Sequence, residues 1–406
     1  MGMMLIAASA VLAGTATAEE SAGVISKWGA APTFSGDGWE FKVSGRMMLD
    51  YSIVDTDVSG MDWRAGELRR LRLGVSGKFG DNLKYKVELN TNSSGDVNLE
   101  DGYVQWAPTG NNWNIKAGQF KTPNSLDEMT SSRFISTLER SAFTDAFEFN
   151  RRLGVSLNTK GKNYTFSAGL FGDNIDVAGP VEGYAVAARG TVSPVKDDNT
   201  VVHLGASVRY RNISDTQSDL RYRQRPVSHI PGRIISTGRI GESDVFVGAE
   251  AAGIFKGFWV AGEYGVTFVE CSAAAACVDD PTFDGAYAEA GFMIGGKKTY
   301  KDGKFNRPKV DNPVTKGGMG ALAFVARFDT IDLTDASVNG GSYNSYVIGA
   351  DWWATKYTRL GVNFFKVDAE LGTSTSGLDG SFASLVTAGA PEEDVTGVMF
   401  RAQFDF

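Results

Sequence analysis

From Trp39 to Phe406 apolar and polar residues alternate with a period of two, while helical periodicity is nearly absent. In the first segment Phe41, Val43, Gly45, Met47, Leu49, Tyr51 and Ile53 share one face, and Lys42, Ser44, Arg46, Met48, Asp50 and Ser52 share the other. Similar segments begin near Leu68, Leu83, Asn98, Asn112, Arg151, Lys162, Gly183, Val201, Ser243, Gly257, Phe283, Gly318, Gly341, Tyr357 and Val395. The count is about sixteen strands, an even number suited to an antiparallel closed barrel. Ten residues at about 3.3 Å each, tilted by about 45°, span roughly 23 Å, close to the apolar band of an outer membrane. The sequence therefore predicts an all-β fold, a transmembrane antiparallel barrel.

The connections sharpen this expectation. Short polar links (Gly80 to Asn82, Pro108 to Asn111, Lys160-Gly161, Phe255-Lys256, Ala354 to Lys356) alternate with long ones: Asp55 to Glu67, Lys121 to Asn150, Asn212 to Glu242, Val269 to Pro281 and Asp368 to Asp394. Alternation of this kind sends the long loops out on one side, as in barrels with short periplasmic turns. Gly295 to Gly317 breaks the rule, being long on the short-turn side. Inward positions include Lys84, Lys86, Glu88, Asp101, Arg189, Arg209, Arg327 and Asp351; charges in hydrocarbon are costly, so this face must look into water. Sixteen strands leave room for a water-filled lumen.

Composition excludes other classes. Two cysteines (Cys271, Cys277) and two histidines (His203, His229) leave few ligands for a transition metal and no disulfide-built scaffold. No cofactor and no nucleic-acid partner is expected. Met3 to Ala18 is the only long apolar stretch and ends in Ala16-Thr17-Ala18, the small-x-small pattern of a cleavage site, although no Lys or Arg precedes it. Residues 1–18 are thus read as a signal peptide, 19–38 as an N-terminal periplasmic segment and 39–406 as the barrel. Cys271 and Cys277 flank Ser-Ala-Ala-Ala-Ala in an external loop, where an oxidising compartment favours a loop-closing disulfide.

Several stretches, in this order, resemble one known family, the phosphate-selective porins O and P. They are Arg69-Arg-Leu-Arg-Leu-Gly-Val-Ser-Gly-Lys-Phe79, Gly118-Gln-Phe-Lys121, Thr130-Ser-Ser132 with Glu139-Arg140, Arg221-Tyr-Arg-Gln-Arg-Pro226, Gly320 to Phe328 with Ile331-Asp-Leu333, and the closing Arg401-Ala-Gln-Phe-Asp-Phe406. The resemblance covers nearly the whole chain from Trp39. It implies a homotrimer of sixteen-stranded barrels in the bacterial outer membrane, with an inward-folded third loop and a basic pore for small anions such as phosphate. It also implies that Ser131, Ser132 and Arg140 face the solute. Glu128 departs from the pattern, standing where phosphate-specific members carry a basic residue.

The residues themselves support part of this. Lys121 to Asn150 is too long to be a mere connector, and Ser125-Leu-Asp-Glu128 is a capping box that predicts a short helix. A loop folded into the lumen would narrow the pore; a loop packed on a neighbouring subunit is the alternative. Between Arg209 and Arg239 lie seven arginines against Asp215 and Asp219, in a chain whose net charge is −8. Arg221, Arg223 and Arg225 alternate and would point one way in an extended segment, and Arg46, Arg70 and Arg72 point inward by parity. Guanidinium forks suit phosphate or carboxylate, and a low-dielectric wall focuses their field. A second basic run, Lys297, Lys298, Lys301, Lys304, Arg307 and Lys309, falls on the anomalous long turn, as a possible periplasmic cluster. The alternative is that loop cations bind lipopolysaccharide phosphates beside the surrounding outer-membrane lipid, an alternative that is weaker for the lysine-rich turn, which lies on the wrong side.

The expected function is a passive diffusion channel with a preference for anions. A general porin of mixed charge is the alternative. A barrel hydrolase is a weaker fit, because neither histidine neighbours a convincing nucleophile, and an adhesin or structural barrel acting through its loops is a third reading.

Overall fold

Alternation at this length needs a sheet whose two faces see different solvents, and the computed structural model supplies one. It describes residues 24–28, 31–57, 61–91, 95–176, 183–213, 220–272 and 277–406. Residues 1–18, read as a signal peptide, lie outside that set, as does the first part of 19–38.

The wall consists of sixteen strands: β1 (Trp39–Thr56), β2 (Trp63–Phe79), β3 (Leu83–Thr91), β4 (Val97–Trp106), β5 (Trp113–Lys121), β6 (Arg151–Lys160), β7 (Tyr164–Phe171) and β8 (Tyr184–Lys196) form the first half. The second half is β9 (Thr200–Asn212), β10 (Gly241–Phe255), β11 (Phe258–Cys271), β12 (Thr282–Ile294), β13 (Ala321–Asp335), β14 (Val338–Thr355), β15 (Thr358–Leu371) and β16 (Glu392–Asp405). Each strand pairs antiparallel with the next, and β16 returns to β1 from Val395↔Thr56 to Asp405↔Arg46, which closes the cylinder. The main chains of Phe406 and Gly45 exchange hydrogen bonds of 3.0 and 3.1 Å at the end of this seam. β1 runs on past the seam and there pairs with Pro32–Gly36, itself paired with Ile25–Trp28.

Outward positions are apolar and exposed, Leu73, Phe364 and Ile348 among them, whereas inward Arg359, Arg401 and Asp405 are buried. The long/short alternation of connections holds less strictly than the sequence suggests. The seventh external connection is only 336–337, while 295–320 is the long one at the opposite end.

Three segments that touch the polar face of the wall shape the space inside it. The first is 122–150, with helices α1 (Leu126–Met129) and α2 (Ala142–Ala146). Ser125 caps α1, its hydroxyl accepting from the Glu128 N–H at 3.2 Å. Inward carboxylates hold this loop: Glu263 accepts from the N–H groups of Leu126 (2.8 Å) and Asp127 (2.7 Å), and Asp329 accepts from that of Ala142 (3.1 Å). Phe143, Phe147 and Phe149 pack on inward Phe246 and Tyr287, with Tyr222 at one end. Burying each of these rings contributes roughly 2 kcal/mol to the seat. Inward positions on β10 to β14 are therefore partly aromatic, an exception to simple polar-in parity.

The second segment is 220–240, in which Arg223–Gln224 pairs with Ile235–Ser236. It starts between β9 and β10 and reaches the far side of the barrel, where Ser228 meets Ser52 (3.0 Å) and His229 meets Glu67 (2.8 Å). The eighth loop packs beside it, the Asp379 N–H donating to the Arg233 carbonyl (3.1 Å), and Phe382, on a helix spanning Gly380–Thr387, lies against Trp63 of β2 with ring centroids 5.5 Å apart.

The third is a hairpin, Gly296–Lys301 with Lys304–Val310, in the long periplasmic connection. Asp302 and Gly303 both have positive φ, as a two-residue primed turn requires. Its tip reaches β6 to β8: Arg189 donates to the Gly303 carbonyl (2.7 Å) and Lys160 pairs with Asp302 (3.0 Å). A Cβ on Gly303 would come within 2.8 Å of the Thr165 hydroxyl, so this close approach also requires glycine. Arg307, further along the hairpin, pairs with Asp405 of β16. The hairpin thus bars the periplasmic end from both sides.

Cys271 and Cys277 are joined by a disulfide, with Cα atoms 5.7 Å apart.

Candidate functional site

The space left by these segments is a cavity of about 730 Å³ between the inner face of β1 to β6 and the third and fifth external loops. Fourteen arginine and lysine side chains line it against seven carboxylates, a strongly basic surface inside an acidic protein. Arg46, Arg70 and Arg72 reach it from β1 and β2, Ser131, Ser132 and Arg140 from the third loop, and Arg223 and Arg225 from the fifth. Arg221 is not among the lining residues; its guanidinium lies against Gly377 of the eighth loop.

Two irregularities in the wall add residues that strict parity hides. The β1–β2 register runs Met48↔Arg70 and then Leu49↔Leu68, so Arg69 is an extra residue, and both Arg69 and Arg70 line the cavity. The β3–β4 register skips Glu100 in the same way, and Glu100 and Asp101 both face in. Such bulges re-aim side chains next to functional sites. Other lining residues outside the sequence-based set are Lys116, Lys121, Arg133, Arg151 and Arg233. For Arg233 the arginine-rich run was the available signal, and for Lys116 it was parity on β5; Lys121, five residues further on, falls on the opposite parity.

Most of these cations are paired. Glu88 meets Arg46 and Lys86 at 3.2 Å and Arg72 at 3.4 Å. Glu100 lies between Arg72 and Arg151, each at 2.5 Å, and Asp101 between Lys86 (2.5 Å) and Arg151 (2.8 Å). Glu128 lies between Lys121 (2.7 Å) and Arg140 (3.0 Å), so Arg140 is occupied by its own loop. Ser132 accepts from Arg46 at 2.8 Å, and the Ser131 hydroxyl accepts from Arg133 at 3.3 Å. Among the described residues, four lining cations have no carboxylate within ion-pair distance: Arg70, Lys116, Arg223 and Lys304. Arg70 rests on the Met48 sulfur, Lys116 lies over the rings of Tyr103 and Phe120, and Arg223 donates to the Gly377 carbonyl.

The six periplasmic cations do not form one cluster. Lys304 lines the cavity; Lys298 is buried over Trp259 and Phe305 with its ammonium on the Ser136 hydroxyl. Arg307 pairs with Asp405, Lys309 with Asp311 (3.0 Å), Lys297 faces Asp198 and Asn199, and Lys301 is exposed. Burial, with Lys116 and Arg189 nearby, pushes the Lys304 ammonium down to about 8; burial does the same for Lys298. His203 is held by Tyr300 (2.6 Å) and Glu250 (2.9 Å), which leaves it no free partner for a nucleophile. Among the described residues no group of three or more His, Cys, Asp or Glu could hold a metal.

The family described as phosphate-selective porin O and P matches residues 41–406. Porin O of Pseudomonas aeruginosa is 25% identical over 423 residues, covering 93% of this chain and 94% of its own. An uncharacterised protein of Caulobacter vibrioides is 35% identical over 359 residues, 84% of this chain and 71% of that protein. Among solved structures, an anion-selective porin from Comamonas acidovorans superposes with a TM-score of 0.56 at 13% identity, covering 91% of this chain and all (100%) of the other. OmpT of Vibrio cholerae in a trimer form gives 0.51 at 10% identity, covering 91% and 100%.

Proposed function

We propose, from the premise that this chain belongs to the phosphate-selective porin O and P family and is a porin of the bacterial outer membrane, that it is a passive channel preferring small anions. The observation that carries the reading is the cavity lining, fourteen cations against seven carboxylates. A charged lumen in a low-dielectric wall raises the local concentration of counter-ions, and many moderate sites conduct better than one tight site. Arg46, Arg70, Arg72, Ser131, Ser132, Arg223 and Arg225 are the residues that would meet the solute, with Arg221 set back from them. The seat of residues 122–150 on the polar face supports a constriction there. A homotrimer, secreted after removal of residues 1–18, with external loops beside lipopolysaccharide, completes the reading.

The deciding experiment is the reversal potential of single channels in a planar bilayer under a KCl gradient. Chloride should permeate ahead of potassium, more strongly at low salt, where screening is weaker. A potential of the opposite sign would overturn the reading.

A pH dependence follows from the depressed lysines. As pH rises through about 8, Lys304 and Lys298 lose their charge. The cavity then carries less positive charge, so anion preference should weaken between pH 7 and pH 9, where arginines do not titrate. Lys304→Met should lower the preference at pH 7 and remove much of this change, both read from the reversal potential.

A further inference from the structure

One carboxylate in the cavity differs from the others. Asp145, on α2, is held by Arg225 at 3.1 Å and Arg233 at 2.5 Å, and no other hydrogen bond to its carboxylate is present among the described residues. Its side chain is 33% exposed, against 15% for Glu100 and 8% for Glu128, which sit between cations in the same way. Glu100 is packed among cations of the wall and Glu128 between the wall and its own loop, whereas Asp145, more than twice as exposed as Glu100, is the most open of the three.

The clamp is also larger than its occupant. The Nε atoms of Arg223, Arg225 and Arg233 are buried without hydrogen-bond partners, donors that the two oxygens of Asp145 leave unused. Unused guanidinium donors around a carboxylate describe a site for an acceptor with more oxygens or more charge, because fork geometry matches oxyanions. Chloride, a single acceptor, gains less from displacing a carboxylate shared by two arginines.

We propose that Asp145 is a built-in competitor: it occupies the Arg225–Arg233 clamp at the external vestibule and must swing aside before a solute anion is held there, which selects doubly charged oxyanions over chloride. This rests on the anion-channel reading and deepens it, making Asp145 a specificity-determining residue. Its carboxylate sets the threshold that an entering anion has to exceed. The clamp therefore admits without trapping, since Asp145 returns to expel the bound ion towards the cavity.

The test is the block of chloride current by inorganic phosphate in the full-length channel. Asp145→Asn keeps the shape of the side chain and removes the charge. It should lower the half-blocking phosphate concentration by about tenfold, the scale of one charge-assisted hydrogen bond. Adding Arg225→Gln to that variant should abolish the gain. An unchanged half-blocking concentration in Asp145→Asn would overturn the proposal. So would a rise in conductance and current noise without tighter block, which would make Asp145 only a cross-link between the third and fifth loops. Potassium preference in the wild-type reversal potential would sink the anion reading itself, and the proposal with it; chloride preference with unaltered block would sink the proposal alone.

Discussion

Arg401→Leu should raise single-channel conductance severalfold and make the open level noisy, while leaving the barrel folded. Arg401 is fully buried on β16 and holds Asp50 through two bonds of 2.7 and 2.6 Å, Glu139 at 2.7 Å, and the carbonyl of Leu138. Removing one partner from a buried ion-pair group costs roughly 3–5 kcal/mol, because the remaining charges stay desolvated. The strand ladder of the wall is too extensive to give way for that amount. Releasing residues 138 and 139, so that Glu139 and Asp50 recover water, is the cheaper relief. Limited proteolysis should then cut within 122–150 in folded channels, where the wild type resists. Wild-type conductance together with wild-type protease resistance would show that the loop has sufficient anchors elsewhere, Asp329 and Glu263 being the candidates.

Replacing residues 297–309 by a two-residue Asn-Gly turn should have an effect of similar size on conductance and a larger one on selectivity. The hairpin crosses the periplasmic end between β6–β8 and β16, so its loss widens the exit. It also carries away Lys304, Lys298 and Arg307 while uncovering Glu250 and Asp405, so anion preference should fall as conductance rises. A conductance equal to the wild type's would place the narrowest point wholly at the external loops.

The number of strands, their antiparallel closure and the face of most residues were legible from alternation and the connections, since a period of two with a wet lumen leaves little freedom. Parity fails where the wall does: Arg69 and Glu100 are bulged residues, and nothing in Arg69-Arg70 or Glu100-Asp101 announces which one is extra. The hairpin was readable in part. Lys301-Asp302-Gly303-Lys304 is a strong two-residue turn signal, but its insertion depends on His203, Arg189 and Asp405, which are distant in sequence. Charge counting found the basic fifth loop yet could not reveal that Asp145 already sits among its cations, or that Glu128 sits between Lys121 and Arg140. Pairing between residues far apart leaves no local pattern. The aromatic inner face of β10 to β14 escaped for a related reason: Phe246 and Tyr287 read as ordinary strand residues until α2 lies on them.

The Arg401 cluster also orders events in the making of the protein. Its three members belong to the first strand (Asp50), the last strand (Arg401) and a loop between them (Glu139), and the bond from Arg401 to Asp50 joins residues 351 positions apart. Contacts of such separation form late, after the loop-closure entropy of the whole chain has been met. Until the final strand arrives, the third loop lacks part of its seat. Closure of the seam and completion of the loop's seat are therefore one step, so that a chain with an open wall is also one whose third loop is not yet held in place.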